Sequence, residues 1–276
     1  MSNRIALFQS TTGIDPGANA KALTLAIGEA AAGGASMLFT PEMSGLLDRD
    51  GARAAKSLKI EEEDPVLAAC REAVTQHGIW LHIGSLAVLV DGGKVANRAF
   101  VIDPKGAIRA RYDKMHLFDV DLPTGETWRE SKTYTAGTGP VLVNGTPVGK
   151  LGLTVCYDLR FPALFSALAE AGADVISVPA AFTVPTGRAH WHILQRARAI
   201  EAGLFVVAAA QVGSHEDGRQ TFGHSLVVDP WGDVLLDMGD QPGVGFAEID
   251  LSRISEVRSR LPALTHRRPI GQVVTS

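Results

Sequence analysis

The residue with the clearest context for nucleophilic chemistry is Cys156. It follows the apolar run Leu151-Gly-Leu-Thr-Val155, and Pro162 stands six residues after it. A short apolar run bounded by turn signals is typical of a buried strand, and proline is favoured as the first residue of a helix. We therefore expect Cys156 at the carboxyl end of a strand, where open α/β sheets bind their ligands. Partial exposure and nearby backbone N–H groups would favour the reactive thiolate there, whereas the alternative is a small buried hydrophobe.

Two charged residues follow other predicted strands. Glu42 stands behind Thr40-Pro41 at the end of the buried run Met37–Phe39. It is either a general base, if its pKa lies near the working pH, or a carboxylate that caps a turn. Lys114 follows the predicted strand Ala107–Arg111, in a stretch that is rich in charged, aromatic and histidine side chains. For a lysine taken singly, a solvated surface position is the ordinary alternative.

Further ionisable residues give weaker signals. Glu126 and Glu130 lie in a long loop and have a similar surface alternative. The histidines show no metal-ligand spacing such as His-x-x-x-His with a glutamate, and His190 and His192 on one predicted helix cannot point the same way. Gly-rich phosphate loops and the Gly-x-Ser-x-Gly pattern are absent as well. The sequence therefore predicts no metal site and no phosphate-binding loop, and it does not favour a serine hydrolase.

Composition restricts the class of protein. The chain has 276 residues, of which 46% are hydrophobic and 20% charged, and a formal net charge of -4. Such a chain can bury a large core, and its charge gives no basic surface for nucleic acid or an anionic membrane. The start lacks an apolar signal segment, and the apolar runs are too short to span a bilayer. Two cysteines, of which Cys70 is predicted to be core, indicate a reducing compartment. We expect a soluble, cytoplasmic protein.

Hydrophobic periodicity and turn residues predict an alternation of helices and strands. The predicted helices are Pro16–Ala32, Pro65–His77, Pro162–Ala171, Thr186–Ala202 and Leu251–Arg260. The predicted strands are Arg4–Phe8, Met37–Phe39, Ile79–Val90, Lys94–Ile102, Ala107–Arg111, Leu151–Val155, Val175–Val178, Leu204–Ala210, Ser225–Val228, Val234–Leu236 and Val244–Ile249.

The two halves of the chain resemble each other. The stretch Ala32-Gly-Gly-Ala-Ser-Met-Leu-Phe-Thr-Pro41 matches Ala171-Gly-Ala-Asp-Val-Ile-Ser-Val-Pro179 in pattern, and Phe100-Val-Ile-Asp-Pro-Lys-Gly-Ala-Ile108 matches Leu226-Val-Val-Asp-Pro-Trp-Gly-Asp-Val234. Two such halves predict an α/β fold, a four-layer αββα sandwich with internal pseudo-two-fold symmetry. No linker divides the chain, so we expect a single domain over residues 1–276, with a C-terminal tail over about 262–276.

Four motifs together resemble the nitrilase superfamily of carbon–nitrogen hydrolases. They are Phe39-Thr-Pro-Glu42, Tyr112-Asp-Lys114-Met-His-Leu-Phe118, Gly152-Leu-Thr-Val-Cys156-Tyr-Asp-Leu-Arg160-Phe-Pro162 and Ala189-His-Trp-His-Ile-Leu-Gln-Arg-Ala-Arg198-Ala-Ile-Glu201. The resemblance implies an amidase with a Glu–Lys–Cys triad formed by Glu42, Lys114 and Cys156. It also implies a second glutamate, which Glu130 matches better than Glu126.

The mechanism implied by the resemblance is thiol catalysis without a cofactor. Glu42 would take the thiol proton and Cys156 would attack the amide carbonyl. Lys114 and a backbone N–H near Tyr157 would stabilise the oxyanion, and Lys114 would also lower the thiol pKa. Ammonia would leave, and water activated by Glu42 or Glu130 would hydrolyse the thioester.

Within the superfamily the chain resembles the deaminated glutathione amidases and omega-amidases, through the motif at Cys156, Ala181-Phe-Thr-Val-Pro-Thr186-Gly187 and Leu261-Pro-Ala-Leu-Thr-His-Arg-Arg-Pro269. The expected partner is thus a small amide that carries a carboxylate. Arg160 is the candidate to bind that carboxylate, or else it forms a structural ion pair with Asp158 or another nearby acid. Tyr157, Phe182 and Thr186 would line the pocket. After Pro269 the tail departs from the family pattern.

Two other functions remain open at this stage. The first is a nitrilase or N-carbamoyl-amide hydrolase with the same triad, and the second is a catalytically silent binding or scaffold protein. Resemblance also implies a homodimer or higher homo-oligomer, for which the region Leu159–Glu170 and the basic tail offer contact surfaces.

Overall fold

A computed structural model describes residues 2–121, 125 and 127–275. Glu126 lies outside the described residues. The described helices are α1 (Pro16–Ala32), α2 (Gly51–Ala54), α3 (Pro65–His77), α4 (Pro162–Glu170), α5 (Val184–Ala202) and α6 (Ser252–Arg260). The strands of the first half are β1 (Ser2–Gln9), β2 (Met37–Phe39), β3 (Trp80–Leu89), β4 (Val95–Ile102), β5 (Ile108–Asp113), β6 (Asp119–Asp121), β7 (Thr127–Arg129) and β8 (Tyr134–Thr135). Those of the second half are β9 (Val141–Thr146), β10 (Gly149–Leu153), β11 (Val175–Ser177), β12 (Phe205–Ala208), β13 (Val212–Ser214), β14 (Gln220–Phe222), β15 (Leu226–Val228), β16 (Val234–Asp237) and β17 (Gly243–Asp250).

The sequence predicted three of these elements with their observed bounds, namely α1, β2 and α3. Each of the two helices begins with a proline after an aspartate whose carboxylate accepts a backbone N–H of the first turn, Asp15 in α1 and Asp64 in α3. The aspartate caps the amino end of the helix, and the proline is favoured in its first turn. The start of each helix can therefore be predicted from sequence.

Other segments differ from the prediction. Strand β9 was not predicted, and the long loop after Arg111 contains the antiparallel pair β6–β7 and the short strand β8. The segment Leu46–Asp64, interpreted as a loop with an uncertain helix, contains only the single turn α2 and a short 3-10 helix over Glu61–Glu63. Strands β6, β7 and β8 have only two or three residues and pair through tertiary contacts, so periodicity carries little information about them.

Two mixed sheets form the centre of the protein and have the same internal order. The first sheet runs β17-β1-β2-β3-β4-β5, and the second runs β9-β10-β11-β12-β15-β16. In each sheet three neighbouring strands are parallel and the flanking strands are antiparallel. Strand β17 occupies the same edge position in the first sheet that β9 occupies in the second sheet. The α/β fold class is therefore confirmed, and the halves repeat one topology.

Turns in the two halves repeat the same hydrogen bonds. The Asp103 carboxylate accepts the N–H groups of Lys105 and Ala107 at 2.9 and 3.1 Å. The Asp229 carboxylate accepts those of Trp231 and Asp233 at 2.8 and 2.9 Å. Each turn follows a register shift in its hairpin. The Asp-Pro-x-Gly motif seen twice in the sequence thus forms one turn type twice.

Alternation of side chains along the strands separates the layers. In β1, Ile5 and Leu7 pack in the core that includes the second sheet, whereas Ala6 packs in the core with α1 and α3. The far face of the second sheet packs against α4 and α5, whose buried residues include Phe165 and Trp191. This layering agrees with a four-layer αββα arrangement.

The C-terminal segment after α6 lacks helix and strand up to residue 275. Within it, Arg267 pairs with Glu170 of α4 at 2.6 Å and donates to the Ser166 carbonyl. The two surfaces suggested for self-association therefore contact each other within one chain. Among the described residues, no helix combines the length and the apolar character needed to cross a bilayer.

The two sheets pack tightly against each other just beyond the ends of β2 and β11. Gly84 of β3 lies there, and a Cβ at this position would meet the carbonyl oxygens of Thr40 and Pro41 and the Cβ of Pro179. The Thr40 hydroxyl accepts the Gly84 N–H at 3.1 Å. Because Glu42 follows Pro41 directly, this close contact fixes the backbone that carries Glu42.

We expect Gly84→Ala to lower the free energy of unfolding by about 1–3 kcal/mol, because an added methyl group has no room between backbone atoms. Activity should fall as well, since the segment before Glu42 must move. Chemical denaturation and a turnover assay would measure both effects. Gly139→Ala is the matched control, because a Cβ at Gly139 meets no atom within 4 Å; equal stability of the two variants would contradict the packing argument.

Candidate active site

Three strand ends bring the predicted catalytic residues together. Glu42 follows β2, Lys114 follows β5, and Cys156 follows β10 after a two-residue extension. The first two come from one sheet and the third comes from the other. The site therefore lies at the seam between the sheets.

The backbone at Cys156 is held in an unusual conformation. Its φ is +51°, in the left-handed region that side-chain-bearing residues seldom adopt. Cys156 begins a 3-10 helix that ends at Arg160, and its N–H donates at 2.8 Å to the carbonyl of Pro179, which lies two residues beyond β11. Such conformations persist where the surroundings over-determine them, and they are common at functional sites.

A buried aspartate braces this 3-10 helix. Asp158 accepts the Val155 N–H at 2.8 Å and the Tyr112 hydroxyl at 2.7 Å. It also accepts the backbone N–H of His116 and pairs with the His116 ring at 2.7 Å. With these partners Asp158 is fully buried. The alternative in which Arg160 pairs with Asp158 is therefore not what the structure shows.

Lys114 lies between two glutamates. Its Nζ is 3.0 Å from Glu42 Oε1 and 2.8 Å from Glu130 Oε2. Only 2% of the Lys114 side chain is exposed, so the surface-lysine alternative does not apply. Burial of a charge costs free energy unless the charge is paired. The two carboxylates therefore stabilise the ammonium group in this buried position.

Neutral donors complete the cluster. The Asn97 side-chain N–H₂ donates to Glu42 Oε1 at 2.9 Å and to Glu130 Oε1 at 3.1 Å. Backbone N–H groups of Ala181 and Phe118 donate to Glu42 Oε2 and Glu130 Oε2 at 3.0 and 2.7 Å. Sequence reasoning missed Asn97, although an amide inside the apolar strand β4 was the available signal.

The electrostatics favour a charged pair beside a neutral thiol. Burial raises the pKa of Glu42, but the Lys114 ammonium and the hydrogen bonds outweigh burial and leave this pKa below the usual 4.5. Burial lowers the pKa of Lys114, but Glu130 and Glu42 outweigh it, so the pKa lies well above its usual value. At neutral pH the site therefore holds a carboxylate and an ammonium.

The expectation of a favoured thiolate at Cys156 is wrong. Burial, the Glu42 charge and the hydrogen bond to Glu42 raise the pKa of the thiol well above its usual 9.0, although Lys114 acts in the opposite direction. Cys156 is only 8% exposed rather than partly open to solvent. The resting side chain of Cys156 is a thiol hydrogen-bonded to the Glu42 carboxylate. Cys70 behaves as predicted: it is buried in the core between α1 and α3, and burial raises its pKa to about 12.

A cavity of about 400 Å³ opens onto this cluster. The four residues predicted to bind substrate, Tyr157, Arg160, Phe182 and Thr186, all line it. The Arg160 guanidinium carbon lies 6.0 Å from the Tyr157 ring centroid and 5.7 Å from that of Phe182. Its Nη2 is 3.2 Å from His190 Nδ1, and among the described residues no carboxylate pairs with it.

Charges on the cavity wall favour an anion. The described lining includes five cationic side chains and three carboxylates: Lys114, Arg49, Arg129, Arg160 and Arg219 against Glu42, Asp48 and Glu130. Arg160 is the cation nearest to Cys156 along the chain, four residues away.

Away from this cavity, one group of side chains has the composition of a metal site. Ligand atoms of His192, His224 and Asp237 lie within 4.8 Å of one another. The two rings already pair with Asp237, at 3.0 and 2.9 Å. These residues come from three separate segments, so spacing along the sequence could not have revealed them.

The two-sheet α/β fold is that of the nitrilase superfamily of carbon–nitrogen hydrolases. The chain belongs to the carbon–nitrogen hydrolase family, whose sequence profile matches residues 4–259. It is 40% identical over 244 residues to the deaminated glutathione amidase of Yersinia enterocolitica, covering 87% of this chain and 85% of that protein. It is accordingly an enzyme, a carbon–nitrogen hydrolase of the amidase kind.

Solved structures agree with this assignment. The nitrilase and fragile histidine triad fusion protein of Caenorhabditis elegans superposes with a TM-score of 0.90 at 38% identity; the match covers 97% of this chain and 65% of that longer one. An amidase from Nesterenkonia sp. AN1, with acrylamide added at its active site cysteine, gives 0.79 at 28% identity, over 94% of this chain and 98% of that one.

The raised thiol pKa can be measured directly. We expect the thiolate absorbance of Cys156, taken as wild type minus Cys156→Ala, to titrate with a midpoint above 9.0. Glu42→Gln should lower this midpoint, because it removes a negative charge and a proton acceptor beside the sulfur. A wild-type midpoint below about 8, the mark of an activated thiolate, would contradict the electrostatic account.

Proposed function

We propose that this enzyme hydrolyses the ω-amide of a 2-oxo acid, with deaminated glutathione as the best-supported substrate, through a thioester on Cys156. The observation that carries the proposal is a buried thiol–carboxylate–ammonium cluster beneath a cavity that also holds the Arg160 guanidinium, with which no carboxylate of the described residues pairs. The name of the Yersinia relative supports the substrate.

In the first step Glu42 acts as general base. As Cys156 attacks the amide carbonyl, the thiol proton passes along its hydrogen bond to the Glu42 carboxylate. The low pKa of Glu42 keeps it ionised at neutral pH, so the acceptor is always available. The thiolate thus forms only during attack, which fits a resting thiol with a raised pKa.

Lys114 stabilises the tetrahedral oxyanion. An ammonium group has three N–H donors, and Glu42 and Glu130 can be satisfied by two of them, which leaves one for the oxyanion. A backbone N–H at Tyr157 would be the second donor, and preorganised donors of this kind are typically worth about 3 kcal/mol. Glu130 would hold Lys114 in place throughout.

The leaving group follows from the substrate. Protonated Glu42 returns its proton to the amide nitrogen as the C–N bond breaks, and the acyl group stays on Cys156 as a thioester. A primary amide releases ammonia, as expected from the sequence. Deaminated glutathione is a substituted amide, so its leaving group is the amine of cysteinylglycine instead. Water activated by Glu42 or Glu130 then hydrolyses the thioester to the free acid and restores the thiol.

The compartment and the assembly are also proposals. A catalytic thiol suits a reducing compartment, so we propose a cytoplasmic location. We likewise propose a homodimer or higher homo-oligomer, and α5 exposes Ile193 and Ile200, at 68% and 44%, as apolar surface.

The decisive test compares substrates. We expect the wild-type enzyme to release cysteinylglycine from deaminated glutathione and ammonia from α-ketoglutaramate, and Cys156→Ala to release neither. Product analysis by mass spectrometry would detect the acids and the covalent thioester. Turnover of nitriles, or carbon dioxide formed from N-carbamoyl compounds, in place of these products would contradict the proposal. Activity that survives in Cys156→Ala would contradict the mechanism.

The proposed role of Arg160 has its own prediction. Arg160→Ala should lower kcat/KM for both 2-oxo acid amides by about tenfold or more, because a charge-assisted hydrogen bond is worth about 1.5–3 kcal/mol. Arg160→Lys should recover part of the loss, since lysine keeps the positive charge but lacks the forked pair of N–H donors of a guanidinium group. Steady-state kinetics would measure both variants. If kcat/KM for an uncharged amide such as propionamide fell by the same factor, the loss would not arise from binding of the substrate carboxylate, and the proposed role would be contradicted.

A further inference from the structure

A second cationic part of the cavity lies around Trp128. The guanidinium carbons of Arg49 and Arg219 lie 5.6 and 5.1 Å from the Trp128 ring centroid. All three residues line the same cavity as Cys156. A flat aromatic surface holds a guanidinium group in place while its N–H edge stays free to bind an anion.

The two arginines differ in what they have as partners. Arg219 pairs with Asp217 at 2.8 Å, so its charge is compensated. The same Asp217 accepts the backbone N–H of Arg49 at 2.9 Å and so fixes the Arg49 segment, not its side chain. Within the part of the chain that the structure describes, no carboxylate pairs with the Arg49 guanidinium. Arg49 is therefore the cation available to a ligand at this end.

A row of aromatic rings joins this region to Arg160. Trp128 contacts Phe118 with ring centroids 6.3 Å apart, and Phe118 contacts Tyr157 at 5.0 Å. The Arg160 guanidinium lies beside Tyr157. Two guanidinium groups that pair with no carboxylate among the described residues thus lie at the two ends of this row of rings. Phe118, in the middle of the row, donates its backbone N–H to Glu130 of the buried cluster.

We propose that Arg49, supported by Trp128, binds a second carboxylate on the leaving-group side of the substrate. The inference rests on the proposed function. It restricts the substrates to ω-amides of 2-oxo acids in which the amine portion itself ends in a carboxylate. Arg160 would hold the carboxylate of the acyl portion, and Arg49 that of the amine portion. In deaminated glutathione the second group is the glycine carboxylate.

The test uses two compounds that differ by one charge, deaminated glutathione and its C-terminal carboxamide. Their dissociation constants are measured by calorimetry with Cys156→Ala, which cannot turn either over. We expect the free acid to bind about tenfold more tightly than the carboxamide, and Arg49→Ala in the same background to reduce this ratio to about two. Arg49→Lys, with the charge but not the fork, should give an intermediate ratio.

Arg260→Ala is the matched control, because Arg260 is 72% exposed on α6 and does not line the cavity; its ratio should stay near ten. An unchanged ratio in Arg49→Ala would overturn the inference, and so would equal affinity of the two compounds in the parent. Turnover is measured separately with the wild-type chain. Loss of discrimination and loss of catalysis are thus read in different assays, and failure of one proposal is distinguishable from failure of the other.

Discussion

The site depends on one buried ion cluster, in which the Lys114 ammonium lies between the carboxylates of Glu42 and Glu130. Each of these charges alone would be expensive to bury, and removal of one partner would leave an uncompensated charge in a dry environment. Asn97 and two backbone N–H groups donate hydrogen bonds to these carboxylates and so stabilise their negative charge. The result is a rigid arrangement that keeps Glu42 ionised and places it against the thiol.

The cluster also explains why the thiol of Cys156 is not activated at rest. Burial disfavours a charged sulfur, and ionisation would also place a second negative charge beside the Glu42 carboxylate. These two effects outweigh the attraction of the Lys114 ammonium and keep the pKa of the thiol raised. In the proposed mechanism the proton moves only as the bond to carbon forms, which avoids this repulsion.

Internal repetition supplies the geometry. Equivalent strands of the two halves, β2 and β11, are followed directly by Thr40-Pro41 and Val178-Pro179 at the seam between the sheets. The first half places Glu42 beyond its proline, and the second half contributes backbone instead: the Ala181 N–H donates to Glu42, and the Pro179 carbonyl accepts the Cys156 N–H. One topology used twice thus gives different chemical groups that meet face to face.

Some features of this protein were determined by local sequence. Asp64 followed by Pro65 starts a helix, the repeated Asp-Pro-x-Gly segments form turns, and the motifs around Cys156 and Lys114 indicate the family. These depend on interactions within a few residues, or on residue types that stand in a recognisable order.

Tertiary structure alone decided the rest. The role of Asn97 needs two carboxylates brought from 55 and 33 residues away. The protonation state of Cys156 depends on burial and on Glu42 from the other sheet. The position of Arg49 against Trp128 depends on the hydrogen bond from the Arg49 backbone N–H to Asp217, a residue far away along the chain. Electrostatic energies are set by distance and burial in three dimensions, and neither quantity can be read from spacing along the sequence.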